Sequence, residues 1–312
     1  MSTTPGKTVL ITGANVGIGK EVARQLALRN DFARVHLACR NEDKAKAAKA
    51  DLEAATGRTI FDIILMDVTD LDSVRAGVDG IDGSIDALVM NAGVIGPRSM
   101  DLTRDGVTIG FATNVLGHVV LLETLLDEER LEEVAVLAGS EAARGLPMMG
   151  MKRPAFPSTS ADELATAIDG SYFAGRKADF NLSFGQSKYI GALWMAHLAR
   201  RYPDRRFITV SPGATTGTEA SSNGLSLPLR IAANYVMPAL RISHKLEAGA
   251  KRLVDGVTDP TLTSGVFYAS TANKLKGPMV DQAEIFPDLA NPSFQDHANE
   301  AIHRFISRKT FA

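Results

Sequence analysis

Residues 8–19 read TVLITGANVGIG, and the fold turns on this stretch. Residues 8–12 are a short β-branched and apolar run, the mark of a buried strand. Glycines follow at Gly13, Gly17 and Gly19. Ile18, Val22, Leu26 and Ala27 then recur near a 3.6-residue period, so 18–30 reads as a helix. The alternation continues outward from there. Strands are predicted over 35–39, 60–66, 87–90, 134–138, 207–210 and 265–269. Helices are predicted over 42–55, 71–78, 107–126 and 183–201. The strands are nearly continuous apolar runs, as in a sheet buried on both faces. The expectation is one α/β domain over 1–312, a doubly wound, parallel, seven-stranded sheet with helices on both faces.

Two segments interrupt the alternation. Residues 145–182 carry Met, Pro, Ser and Gly with little periodicity and read as a functional insert. Residues 219–245 contain LPLRIAANYVMPAL after the sixth strand, on the side where α/β sheets bind ligands, and read as a substrate lid. The 312 residues are 45% hydrophobic and 22% charged, ordinary values for a globular chain. A net charge of -2 gives no general attraction to nucleic acid or an anionic membrane. The one cysteine, Cys39, permits no intrachain disulfide and fits a reducing compartment. The opening residues lack a charged-then-apolar signal pattern, and no apolar run reaches the roughly 18 residues of a membrane span. The expected location is cytoplasmic. The six histidines show no metal-ligand spacing, so no metal is expected.

The glycine turn has a chemical reading. The chain must turn tightly there, a pyrophosphate must approach the backbone, and the helix N-terminus offers it free N–H groups and partial positive charge. Gly13, Asn15, Gly17, Ile18 and Gly19 are therefore candidate phosphate contacts. An acidic residue at the end of the second strand would select NAD by binding ribose hydroxyls. Cys39, Arg40 and Asn41 stand there instead. Arg40 can pair with a 2′-phosphate, so NADPH/NADP+ is the expected cofactor.

The spacing TGxxxGxG resembles the short-chain dehydrogenase/reductases, a family with a Rossmann-like fold. Further motifs match in order. The resemblance implies adenine contacts from Asp67 and Val68 in MDV, and a cofactor floor from Asn91, Ala92 and Gly93 in NAG. It implies catalytic roles for Asn114 in TNVLGH, Ser140 in LAGSEAARG and Lys188. Pro212 and Gly213, with Thr216 shortly after, would flank the nicotinamide. TGANVGIGKEVA and ACRNEDKAKAA resemble the retinol dehydrogenase branch. DFNLSFGQSK, SPGATTG and EAGAKRLVDGVTDPTLTSGVFY resemble light-dependent protochlorophyllide reductase. The family often pairs through its long helices, so a homodimer is one expectation, although the insert could block it.

One position departs from the family pattern. Its active site is YxxxK, in which the lysine holds the nicotinamide ribose and lowers the tyrosine's pKa, and the tyrosine protonates the substrate oxygen. Here Phe184 stands one helical turn before Lys188 and carries no proton. Tyr189 falls roughly 140° around the helix from Phe184. Ser140, ordered water and Tyr172 in the insert are other proton sources to weigh. Three readings follow: an active reductase of a hydrophobic carbonyl, imine or conjugated small molecule with another proton source; an NADPH-binding sensor or partner-binding protein; or a carbonyl reductase silenced by the phenylalanine. Asn114, Ser140 and Lys188 favour reductase chemistry.

Overall fold

The computed structural model describes residues 6–215 and 243–306. Eight strands form one sheet: β1 (Lys7–Thr12), β2 (Phe32–Cys39), β3 (Phe61–Leu65), β4 (Ile85–Met90), β5 (Leu131–Ala138), β6 (Arg206–Val210), β7 (Phe267–Ser270) and β8 (Met279–Asp281). Their order is β3-β2-β1-β4-β5-β6-β7-β8. Every neighbouring pair is parallel except β7 and β8. The seven expected strands thus gain an eighth, antiparallel edge strand, too short to leave an apolar run in the sequence.

The helices are α1 (Gly17–Ala27), α2 (Glu42–Thr56), α3 (Leu71–Asp79), α4 (Ile109–Asp127), α5 (Ala161–Ile168), α6 (Phe180–Arg201), α7 (Leu246–Thr258) and α8 (Pro292–Ile306). Each face of the sheet has its own apolar core. Val22 and Leu26 of α1, Leu52 of α2 and Leu253 of α7 pack on one face. Val74 of α3, Leu121 of α4, Leu164 of α5, Leu193 of α6 and Ile302 of α8 pack on the other. Burial on both sides is why β1 and β4 alternate so little between apolar and polar residues.

α4 differs from its expected form in two ways. It is long and apolar enough to cross a membrane, with a hydropathy of 1.6, but 83% of that window is buried, so it is a core helix. It is also not uniform: residues Ala112–Leu116 form a π-turn between two α-helical parts. Gly117 sits just after that turn, where a Cβ would lie 2.0 Å from the Val68 carbonyl oxygen. Only glycine lets α4 press this closely on the loop after β3.

The insert at 145–182 is more ordered than its composition suggests. Ser160 accepts the Glu163 amide and so caps α5, while Glu163 reaches back to the amides of Ser158 and Thr159. This is a capping box in outline. The lid expected at 219–245 lies outside the described residues, except for its last three.

Candidate active site

The strand order reverses between β1 and β4, and parallel sheets of this type open a crevice at that point. Thr12, the last residue of β1, organises the opening. Its hydroxyl accepts the Asn91 amide at 2.9 Å and the Ala92 amide at 3.0 Å. With both amides donating, the hydroxyl hydrogen goes to His118 Nε2, 3.0 Å away. Burial holds the imidazole's pKa down at about 3, with nearby Lys188 adding to the effect, so His118 is neutral. The Asn91 side chain donates to Thr12 O at 3.0 Å and Gly13 O at 3.4 Å, tying the NAG segment to the glycine turn. Within the turn, a Cβ on Gly19 would lie 2.3 Å from Gly13 O. The helix can therefore approach the turn only as glycine. Val16, just before α1, gives no side-chain cap, which leaves the first amides of α1 free for a ligand. The backbone amides of Ala14 and Asn15 face the Cys39 sulfur, whose thiol burial pushes up to about 11.

The second part of the site comes from α4 and α6. The π-turn brings Asn114 opposite the end of β4. Its Oδ1 accepts the Val94 amide at 2.8 Å, and its Nδ2 donates to Val94 O and to Ser187 Oγ at 3.0 and 3.1 Å. Lys188 is 5% exposed, and its Nζ donates to Ala138 O at 2.8 Å. Burial lowers its pKa to about 8. A Cβ on Gly93 would lie 3.1 Å from Asn114 Oδ1 and 3.7 Å from Lys188 Nζ, so these three residues meet at one place. Lys188 Nζ lies 5.6 Å from the centre of the Phe184 ring, which is half-buried on the same helix face. Ser140 lies at the end of β5, where its hydroxyl accepts the Ala142 amide at 3.2 Å and caps a short 3-10 turn.

Tyr189 faces away, as its helical position predicts. It is buried and stacked between Phe156 and Phe286, with ring centres 6.1 and 5.2 Å away. Tyr172 packs edge-on against Phe156 at 5.8 Å and under the Arg176 guanidinium, on the Tyr189 side of α6.

The remaining predicted residues fall as follows. Arg40 is exposed after β2 and forms no ion pair among the described residues. Asn41 spends its side chain accepting the Lys44 amide as the cap of α2. Asp67 accepts both the amide and the hydroxyl of Thr69, and Val68 is buried against α4. Pro212 and Gly213 follow β6, where Gly213 donates its amide to Ser211 Oγ at 3.0 Å. Thr216 lies outside the described residues. Ile18 and Gly17 open α1, as expected.

Residues missed by the sequence reading hold these parts in register. Glu141 is 2% exposed; it accepts the Ser211 hydroxyl at 2.6 Å and the Ser270 amide at 3.1 Å. Arg252 lies 3.7 Å from Glu141 Oε1 and donates to Ser211 O, Ser270 Oγ and Gly277 O. A polar network thus joins the residue after Ser140 to the residue before Pro212. A separate hollow of about 430 Å³ opens among Lys7, Asp31, Glu133 and Arg206, at the N-terminal ends of the strands. That is the wrong end of a parallel sheet for cofactor chemistry.

A parallel sheet with a glycine turn at its switch point, and Asn114 and Lys188 beside it, is the Rossmann-like architecture in which dinucleotides bind. The short chain dehydrogenase family model matches residues 7–147. Protochlorophyllide reductase from Pisum sativum is 33% identical over 285 residues, covering 84% of this chain and 69% of that one. Retinol dehydrogenase 11 from Mus musculus is 41% identical over 135 residues, covering 42% of this chain and 41% of that one. The match thus spans less than half of the retinol dehydrogenase. A solved short chain dehydrogenase from Burkholderia cenocepacia, in complex with NADP, superposes with a TM-score of 0.57 at 25% identity, covering 84% of this chain and 95% of that one. The chain belongs to the short-chain dehydrogenase/reductase family.

Proposed function

We propose that this protein is an NADPH-dependent reductase of a hydrophobic small molecule with a carbonyl, imine or conjugated double bond, working without the family's tyrosine. The convergence of Gly93, Asn114 and Lys188 at the mouth of the β1/β4 crevice carries this reading. The residues fit the cofactor. The glycine turn would hold the diphosphate against the free amides of α1, and exposed Arg40 would meet the 2′-phosphate. Lys188 would hold the nicotinamide ribose. When bound, the reduced nicotinamide supplies a hydride.

The chain's own residues do the rest. Asn114, fixed at both ends of its amide by Val94, stiffens the crevice wall. Neutral His118 keeps a second buried charge away from Lys188. Ser140 would receive a substrate oxygen, its hydroxyl hydrogen being uncommitted by the Ala142 contact. The Phe184 ring presents an apolar wall rather than an acid. Fluorescence titration with NADPH and NADH tests the cofactor, and NADPH oxidation across carbonyl, imine and enone panels tests the activity. NADPH binding with no turnover of any class would favour the sensor reading, which rests on Phe184.

Two outcomes follow. Arg40→Ala is expected to weaken NADPH by about 10- to 100-fold, since a charge-assisted pair contributes about 1.5–3 kcal/mol. NADH affinity should not change. Equal losses for both coenzymes would remove the 2′-phosphate assignment. The second concerns assembly. Helix α8 lies over α6 and α5: Arg200 bonds Gln295 at 2.8 Å and Arg304 bonds Asp162 at 2.5 Å, while His303 reaches Glu123 of α4 at 3.0 Å. One of the two long helices by which the family pairs is thus partly covered by the chain itself, and light scattering is expected to give the mass of one chain.

A further inference from the structure

Carbonyl reduction needs a proton as well as a hydride, and Phe184 has none to give. We propose that the Lys188 ammonium group is the proton donor of this enzyme, giving a proton to the substrate oxygen directly or through one water in the place a phenolic hydroxyl would fill. The proposal rests on the reductase reading and names the acid that reading lacks.

Elimination among the groups around the crevice leads to this lysine. Tyr189 is sealed between two aromatic rings on the other side of α6. His118 is neutral and buried, with its Nε2 accepting from Thr12. Glu141 is committed to Ser211, the Ser270 amide and the Arg252 guanidinium. Ser140 has a hydroxyl, but an aliphatic alcohol is too weak an acid to act alone near neutral pH. Among these described groups, Lys188 combines charge with spare donors. Its Nζ spends one hydrogen on Ala138 O and sits beside Gly93, over the Phe184 ring.

The surroundings suit an acid. Among the described residues, the charged and titratable groups on the α4 segment and the turn after β5 beside Nζ are His118 and, in the turn, Glu141 and Arg144. His118 is neutral, Glu141 is turned toward Arg252, and Arg144 donates to Gln282 and to Ser270 O. Burial lowers the ammonium pKa to about 8, so at neutral pH the group is mostly charged yet ready to release a proton. The step balances. The hydride brings its two electrons to the carbonyl carbon, the π pair moves to oxygen, and oxygen takes one proton. Lys188 becomes a neutral amine and recovers its proton from solvent after the alcohol leaves.

Lys188→Arg is the decisive variant, because arginine keeps the charge and hydrogen bonds but does not release a proton. Carbonyl turnover is expected to fall at least about 100-fold. A weakened hold on the nicotinamide ribose would lower both reactions alike, so a preformed iminium ion, which needs no proton on the accepting atom, serves as the reference: with NADPH saturating, the carbonyl is expected to lose at least about 10-fold more turnover than the iminium. In the unmodified enzyme, kcat/KM for a carbonyl should decline as pH rises through about 8, while the iminium profile stays flat. Lysine side-chain NMR of the NADPH-bound protein, with Lys188→Arg identifying the signal, should show Lys188 titrating in the same range. Carbonyl turnover unaffected by Lys188→Arg, equal loss of carbonyl and iminium turnover, or a Lys188 titration above about 10 would each overturn the proposal. Failure of the unmodified enzyme to turn over any class would instead overturn the reductase reading.

Discussion

Phe184→Tyr is expected to raise carbonyl turnover, by about 10- to 100-fold, because a positioned general acid is worth about 10²–10⁴ in all and Lys188 already supplies part of it. The ring already stands one turn before Lys188, with Nζ 5.6 Å from its centre. Adding one oxygen to that ring therefore creates a phenol beside a buried ammonium group without moving the backbone. The neighbouring cation favours the phenolate and so lowers the phenol's pKa toward the working range. NADPH affinity should not change, because the glycine turn and Arg40 are untouched. Steady-state NADPH oxidation with an aromatic aldehyde and a bulky ketone measures the effect. If carbonyl turnover fails to rise while NADPH still binds, the ring does not face the reacting oxygen. Iminium turnover serves as the internal control, since a new acid gives it no advantage.

The parts of the molecule that the sequence discloses are those whose chemistry fixes a spacing. Gly13, Gly17 and Gly19 are legible because backbone crowding at a turn permits nothing larger. Lys188 and Asn114 are legible because the family motif ties each to one place on a helix. The strands β1 to β6 show as apolar runs because both faces are covered. β8 does not, since three residues at a sheet edge carry no pattern. Helix α5 was overlooked inside an aperiodic insert, although S-x-x-E at Ser160 and Glu163 marks its start. The π-turn around Asn114 leaves no trace, because π and α segments share the same apolar stripe. Glu141 was unreadable for another reason. Its partners Ser211 and Ser270 lie 70 and 129 residues away, and only the folded sheet brings them together. Thr12 reads as one more β-branched strand residue until β4 places two amides over its hydroxyl.

Arg252→Met is expected to be the most destabilising single change at this site. Arg252 is 5% exposed, and its guanidinium serves Ser211 O at 3.1 Å, Ser270 Oγ at 3.1 Å and Gly277 O at 2.7 Å while facing Glu141. Methionine fills much of the same volume but removes the charge. Glu141 then remains buried with only two neutral donors, the Ser211 hydroxyl and the Ser270 amide. Breaking a buried pair from one side costs about 3–5 kcal/mol, because the remaining charge loses its compensation. For a chain of this size that corresponds to a fall in Tm on the order of 10 °C, measured without cofactor so that binding does not mask it. The effect should reach the chemistry as well. Glu141 follows Ser140 directly and Ser211 precedes Pro212, so loosening the network shifts both edges of the crevice. The double variant Glu141→Leu/Arg252→Met separates the two consequences. Removing both charges is expected to restore much of the Tm, since an apolar replacement of a buried pair is often tolerated. Turnover should stay low, because the Ser211 hydroxyl and Gly277 carbonyl still lack their partners. A single Arg252→Met variant that melts within about 2 °C of the parent would show that the guanidinium compensates little of Glu141's buried charge. The hold on Ser211 would then rest on the Glu141 hydrogen bond alone.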